Sequence, residues 1–157
     1  TNDNCILEFI KADLSNADET EAIIPKSILA LRKAGIDKPI ISGVVNAAAT
    51  TARGNLATTT AASFNEQYDI NVRAPFLITK HASRHMMEMN LQRGIGSIVN
   101  ICSVASKGGA PFILGYSCAK SALKTLTKNN AAELASKGIR VNGIDMGWCL
   151  TENENRL

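Results

Sequence analysis

Short apolar runs alternating with stretches of helical spacing restrict this chain more than any other feature. Pro39 to Val45 reads PIISGVV, Ser97 to Ile101 reads SIVNI, and Ile139 to Ile144 reads IRVNGI. The first is apolar on both faces, as a strand buried inside a parallel sheet is. Ile6 to Ile10, ILEFI, is expected to form a further strand at the start of the chain. Strands that alternate with helices in this way predict an α/β fold with a parallel sheet and right-handed crossovers.

The intervening stretches carry helix signals. Asn16 with Glu19 marks a helix start, and Asp18, Glu19 and Glu21 suit the positive end of the helix dipole. Ile23, Ile24, Ile28, Leu29 and Leu31 follow, Pro25 marks a first turn, and Gly35 after Arg32-Lys33 is a stop. Thr50 to Thr60 is small and polar, and reads as a loop. Ser63-Phe64-Asn65-Glu66 is a capping box that opens a long helix to about Asn90, with a bend expected at Pro75. A second long helix is expected from Tyr116 to about Ser136, ended by Gly138. Gly94 and Gly96 precede a strand rather than follow one, so they predict a turn and not a phosphate-binding loop.

With 157 residues the chain is expected to form one domain, and its net charge of +3 is too small and too scattered to argue for nucleic acid or an acidic membrane. The cysteines, Cys5, Cys102, Cys118 and Cys149, form no Cys-x-x-Cys pair. They read as free thiols of a cytoplasmic protein. His81 and His85 lie four residues apart but lack a third ligand at supporting spacing, so no metal is expected.

In open parallel sheets, ligands sit beyond the carboxyl ends of the strands. Asp13, Asn46, Ser103 and Met146-Gly147 each come just after an expected strand, so they converge on one edge. Tyr116 and Lys120 are four residues apart at the start of the second long helix and share a face. A nearby ammonium favours phenolate over phenol, whose unperturbed pKa is about 10, which makes Tyr116 a candidate proton donor near neutral pH. Ser103, across the loop, is a candidate hydrogen-bond donor to a substrate oxygen.

At these residues the chain resembles the short-chain dehydrogenase/reductase family. That family carries a Ser followed thirteen residues later by Tyr-x-x-x-Lys, the spacing of Ser103 to Tyr116-Ser117-Cys118-Ala119-Lys120. Asp13-Leu14 resembles the pair that contacts the adenine ring. Asn46-Ala47-Ala48 resembles the end of the family's Asn-Asn-Ala-Gly motif beside the cofactor, with Val45 in place of the first Asn and Ala48 in place of the Gly. Asn71 resembles the active-site Asn that holds a relay water. Met146-Gly147-Trp148-Cys149-Leu150-Thr151 resembles Pro-Gly-x-x-x-Thr along the nicotinamide, with Met146 at the usual Pro.

The resemblance implies a Rossmann-type doubly wound sheet and an NAD(P)-dependent oxidoreductase acting on a secondary alcohol or ketone, a carbonyl reductase. Asn71, Ser103, Tyr116 and Lys120 would be catalytic. Asp13, Leu14, Asn46, Ala47, Ala48, Tyr116, Lys120, Met146, Gly147, Cys149 and Thr151 would bind NAD or NADP. Ser103, Val104, Ala105, Tyr116 and Trp148 would border the substrate. The alternatives are a cofactor-binding regulator without catalysis, and an epimerase or dehydratase using the same Tyr and Lys. A homodimer or homotetramer through the two long helices is implied, with Leu77, His81 and Met86-Met87 either at that contact or in the core. No Gly-rich unit precedes Ile6, and the chain opens without Met, so it reads as an internal fragment truncated at both ends. Alone, it is expected to be unstable or to aggregate.

Overall fold

The computed structural model describes residues 5–89 and 96–147. Three parallel strands lie in the order β1 (Gly43–Asn46), β2 (Ser97–Ser103), β3 (Arg140–Met146). Asn46 pairs with Asn100 and Ser103 with Met146, so the carboxyl ends of the strands lie along one edge. Five α-helices fill the connections: α1 (Ala17–Glu21), α2 (Ile23–Lys33), α3 (Ala61–Tyr68), α4 (Ala74–Glu88) and α5 (Leu114–Ala135).

Local chemistry explains most helix ends. The Asn16 side chain accepts from the Asp18 and Glu19 amides at 3.0 and 3.2 Å, capping α1 as expected. The helical stretch then breaks at Ala22, and Pro25 lies in the first turn of α2. Gly35 follows α2 at φ 96°, a left-handed conformation open to glycine. The expected capping box at Ser63 is displaced. The helix starts at Ala61, and the Thr60 hydroxyl accepts from the Ser63 amide at 3.1 Å. α5 likewise begins at Leu114, two residues before the expected start, so Tyr116 lies within its first turn.

The bend expected at Pro75 takes a different form. A π-helical turn, Asp69–Arg73, joins α3 to α4 just before Ala74-Pro75, closed by the Ala74 amide donating to the Asp69 carbonyl. A proline cannot donate to an intrahelical ladder, and a π turn re-registers the bonds around such a position.

The core gathers Ile24 from α2, Ala82 and Met86 from α4, Ile98 from β2, Leu134 from α5, Ile139, and Val141 from β3. Leu77 and Met86 are buried within the chain and so belong to its interior, whereas Phe76 and Met87 stay exposed on α4. Alternate strand residues face these helices: Val44, Ile98 and Val141 share one layer by register. The other face was expected to be buried too. Among the described residues it is open, with Val45, Ile144 and Met146 exposed. The expected strand Ile6 to Ile10 does not form either. Residues 5–13 carry no regular structure, and Phe9 is 87% exposed. A strand exists through its partner's backbone, and among the described residues none pairs with this run.

The far edge of β1 likewise has no strand partner among the described residues, and Val45 beside it is 64% exposed. Such an apolar edge templates association. The chain on its own is therefore expected to self-associate, and Val45→Lys should shift it toward monomer in light scattering. Equal scattering from both proteins would show that association, if any, starts elsewhere.

Candidate active site

β2 and α5 carry the candidate residues Ser103, Tyr116 and Lys120. Ser103 ends β2 in extended backbone (φ −151°, ψ 149°), and its Oγ accepts from the Ala105 amide at 3.1 Å. One lone pair is thus used within the turn, and the hydroxyl hydrogen points elsewhere. Val104 and Ala105 open the 3₁₀ turn Val104–Lys107 directly beyond Ser103, with Val104 exposed.

Lys120 is 2% exposed, and its Nζ donates to the Ile101 carbonyl at 2.7 Å. The same ammonium lies 5.7 Å from the centroid of the Tyr116 ring. Both side chains therefore share one face of α5, as their spacing requires. Burial pushes the Lys120 amine below its ordinary value of 10.5, and the Cys102 thiol opposes this shift. Cys102 lies under the site and is itself pushed up by burial, against a hydrogen bond with Thr127, so it stays a thiol. Cys118 is exposed on α5.

A buried amide chain ties the strand ends to α5. Asn46 Nδ2 donates to Asn100 Oδ1 at 2.7 Å, and Asn100 Nδ2 donates to Thr127 Oγ1 at 2.9 Å. Thr127 Oγ1 in turn donates to the Leu123 carbonyl at 2.7 Å. Asn46 is therefore fixed at the mouth of the sheet, and Ala47, Ala48 and Ala49 follow it exposed. Small exposed residues there let a ligand approach the backbone closely. Beyond β3, a Cβ added to Gly147 would meet no heavy atom of the described residues within 4 Å.

Asn71 is fully buried in the π turn, which packs against α5. Its Oδ1 accepts from the Thr50 amide at 3.2 Å and its Nδ2 donates to the Thr50 carbonyl at 2.9 Å. Gln67, one helical turn earlier, grips the same segment. With its nitrogen toward Thr50, the amide donates to the Thr50 carbonyl at 2.8 Å and accepts from Ala52 at 3.0 Å. This orientation satisfies both ends and replaces a longer 3.3 Å contact with Asn71. Sequence reasoning missed Gln67, because nothing local separates it from an ordinary helix residue.

Asp13 and Leu14 stand apart from this cluster. The Asp13 carboxylate accepts from the Ser15 hydroxyl and amide at 2.7 and 2.9 Å, which hold it below the usual carboxylate range. Leu14 is half-buried, and its carbonyl accepts from Thr20 Oγ1 at 3.4 Å. The segment is joined to the π turn through Arg73, which donates to the Ser15 carbonyl and pairs with Asp69. Met146 pairs with Ser103 across the sheet, at the expected edge. Trp148, Cys149 and Thr151 lie outside the described residues.

Comparison with known proteins places this geometry. The family profile described as short chain dehydrogenase matches residues 2–157. The 2-dehydro-3-deoxy-D-gluconate 5-dehydrogenase of Formosa agariphila is 34% identical over 143 residues, 90% of this chain and 49% of that protein. The crystal structure of a gluconate 5-dehydrogenase from Burkholderia cenocepacia J2315, in complex with NADP and tartrate, superposes with a TM-score of 0.77 at 28% identity. It is matched over 92% of this chain and 52% of that one. ElxO with NADP bound gives a TM-score of 0.80 at 29% identity, over 95% of this chain and 56% of that one. The chain thus spans about half the length of the curated relatives it matches. Matched by that profile over residues 2–157 and built on a parallel sheet shared in fold with these structures, the chain belongs to the short-chain dehydrogenase family.

Proposed function

We propose that the protein is an NAD(P)-dependent oxidoreductase that interconverts a secondary alcohol and a ketone. The observation that carries this reading is the buried Lys120 ammonium lying over the Tyr116 ring beside the end of β2. The residues fit a dinucleotide: Ala47 to Ala49 are small and exposed at the sheet edge, directly beyond Asn46. When bound, the nicotinamide supplies or accepts the two electrons at carbon, and the protein supplies placement and the proton.

In the reductive direction Ser103 donates its free hydroxyl hydrogen to the substrate oxygen, since its lone pair is already engaged by Ala105. Tyr116 gives that oxygen its proton. The Lys120 charge stabilises the negative charge that develops on the phenolic oxygen, and in a dry site this attraction is strong. Lys120 and Tyr116 also stand where a ribose would be held. Asn71 takes the relay position, and Asn46, Ala47, Ala48, Met146 and Gly147 take the cofactor edge. Asp13 and Leu14 are assigned the adenine end, with Cys149 and Thr151 beyond Gly147. Val104, Ala105 and Trp148 are assigned to the substrate. The relatives named for sugar acids make gluconate-type polyhydroxy acids the first substrates to try. Exposed Phe76 and Met87 on α4 support a homo-oligomer contact on that helix.

Tyr116→Phe removes the transferable proton and keeps the ring beneath the ammonium. The reductase rate is expected to fall by about 10²–10⁴-fold, with cofactor affinity nearly unchanged in a fluorescence titration. Retained rate would point to a cofactor-binding protein whose function does not use this proton.

The buried ammonium also predicts a pH dependence. Lys120 is lowered from 10.5, so between its lowered value and 10.5 the unfolded chain binds more protons than the folded one. Stability due to this group therefore rises with pH across that window. Measured by urea midpoints, wild type should gain stability relative to Lys120→Met as pH is raised toward 10.5. A difference that stays flat, or shrinks for wild type, would show that the amine is not held in a desolvated place.

A further inference from the structure

We infer that Gln67 is a positioning residue of the proposed cofactor site, its amide locking the strap that follows Asn46–Ala48 and its stem setting the spacing of the turn that carries Tyr116. This rests on the dinucleotide-binding reading above. The strap runs from Asn46 to Ala52. At its start Asn46 is fixed to Asn100 at 2.7 Å. At its end the Thr50 carbonyl accepts two hydrogen bonds, from Asn71 Nδ2 at 2.9 Å and from Gln67 Nε2 at 2.8 Å. The Ala52 amide donates to Gln67 Oε1 at 3.0 Å. Between these pins, Ala47 to Ala49 are exposed. A span of small residues held at both ends is a preorganised platform, and a ligand that lies on it does not have to order it first.

The stem of the same side chain reaches the other half of the site. A Cβ added to Gly115 would lie 3.3 Å from Gln67 Cγ and 3.6 Å from Phe64 Cδ2. Gly115 therefore lets α3 press directly on the first turn of α5, next to Tyr116. The strap is stitched to the same place by its continuation. The Gly54 amide donates to the Phe112 carbonyl at 2.8 Å, and the Leu114 amide donates to the Gly54 carbonyl at 3.2 Å. Gln67 is 1% exposed and uses both ends of its amide. An apolar residue of similar size keeps the Gly115 contact but leaves the Ala52 amide without this acceptor.

Two variants test this. Gln67→Leu removes both amide bonds. Gln67→Glu restores them only when protonated: the neutral acid donates to the Thr50 carbonyl and accepts from Ala52, whereas the carboxylate cannot donate and faces a carbonyl oxygen. NADH and NADPH are titrated by fluorescence against the full chain of each protein at about pH 5 and about pH 8.5, the lower value lying close to the ordinary glutamate pKa of about 4.3, which burial at this 1% exposed position raises, with affinities expressed relative to wild type at the same pH. Amide hydrogen exchange at Ala52 is read on the same samples without ligand.

In Gln67→Leu, dinucleotide affinity is expected to fall about tenfold at both pH values, and Ala52 exchange to quicken by a similar factor. In Gln67→Glu, affinity should be weak at the higher pH and return toward wild type at the lower one. A purely structural role would not give that recovery. Unchanged Ala52 exchange in Gln67→Leu, or a Gln67→Glu protein equally weak at both pH values, overturns the inference. Should Gln67→Leu fail to fold, the pH comparison within Gln67→Glu decides alone. A wild type that binds neither dinucleotide removes the cofactor reading, and the role in the strap is then decided by Ala52 exchange.

Discussion

The buried run of amides from Asn46 through Asn100 to Thr127 is the constraint on which the site depends. Asn100 uses both ends of its amide and the Thr127 hydroxyl both accepts and donates, so removing one member leaves the next unsatisfied at a cost of about 1–3 kcal/mol. It couples β1 to β2 and β2 to α5 at the layer just below the strand ends. Parallel register alone aligns Asn46 with Asn100. The hydrogen bonds make that alignment hard to slip, because a one-residue shift of β1 would turn Asn46 to the open face and leave Asn100 behind. Ser103 on β2 and Tyr116 on α5 are placed by elements that this run holds together.

Burying the Lys120 ammonium is the opposite kind of feature, one that weakens the fold locally. Its Nζ has the Ile101 carbonyl as a partner and is pushed below its ordinary value by desolvation. An exposed lysine would be cheaper. The same burial leaves the charge poorly screened beside the Tyr116 ring, where its field would act on the proton transfer proposed for that phenol. The instability and the chemistry thus have one cause. Lys124, one turn further along α5, shows the alternative: it pairs with Asp145 at a half-exposed position and works as an ordinary surface ion pair.

The fold class and the meeting of Tyr116 with Lys120 were legible because both depend on short-range rules. Tyr116 and Lys120 meet because residues four apart share a helix face, and Ser103 stands with Asn46 and Met146 because a parallel sheet collects its strand ends. What was not legible depends on partners distant in sequence. Ile6 to Ile10 has the composition of a strand but no described neighbour, so its pattern has nothing to act on. Capping moved from Ser63 to Thr60 because either residue can cap, and the choice falls to the packing of α3. Gln67 was invisible for the same reason. Its partners, Thr50 and Ala52, are loop residues whose path is set only once β1 and α5 are in place.

The π turn draws these distant contacts together. A π step inserts about one residue into a helix and rotates everything after it by about 100°. Gln67 and Asn71 lie on one face and both grip Thr50. Arg73, two residues beyond Asn71, turns instead to the Ser15 carbonyl, with Asp69 beside it. One short stretch of helix therefore holds the strap after β1 on one side and the segment after Asp13 on another. An uninterrupted α-helix through Pro75 would leave the Asn71 carbonyl without its ladder donor. The irregularity that proline demands of the backbone is thus also what aims two polar side chains, Asn71 and Arg73, at two different loops.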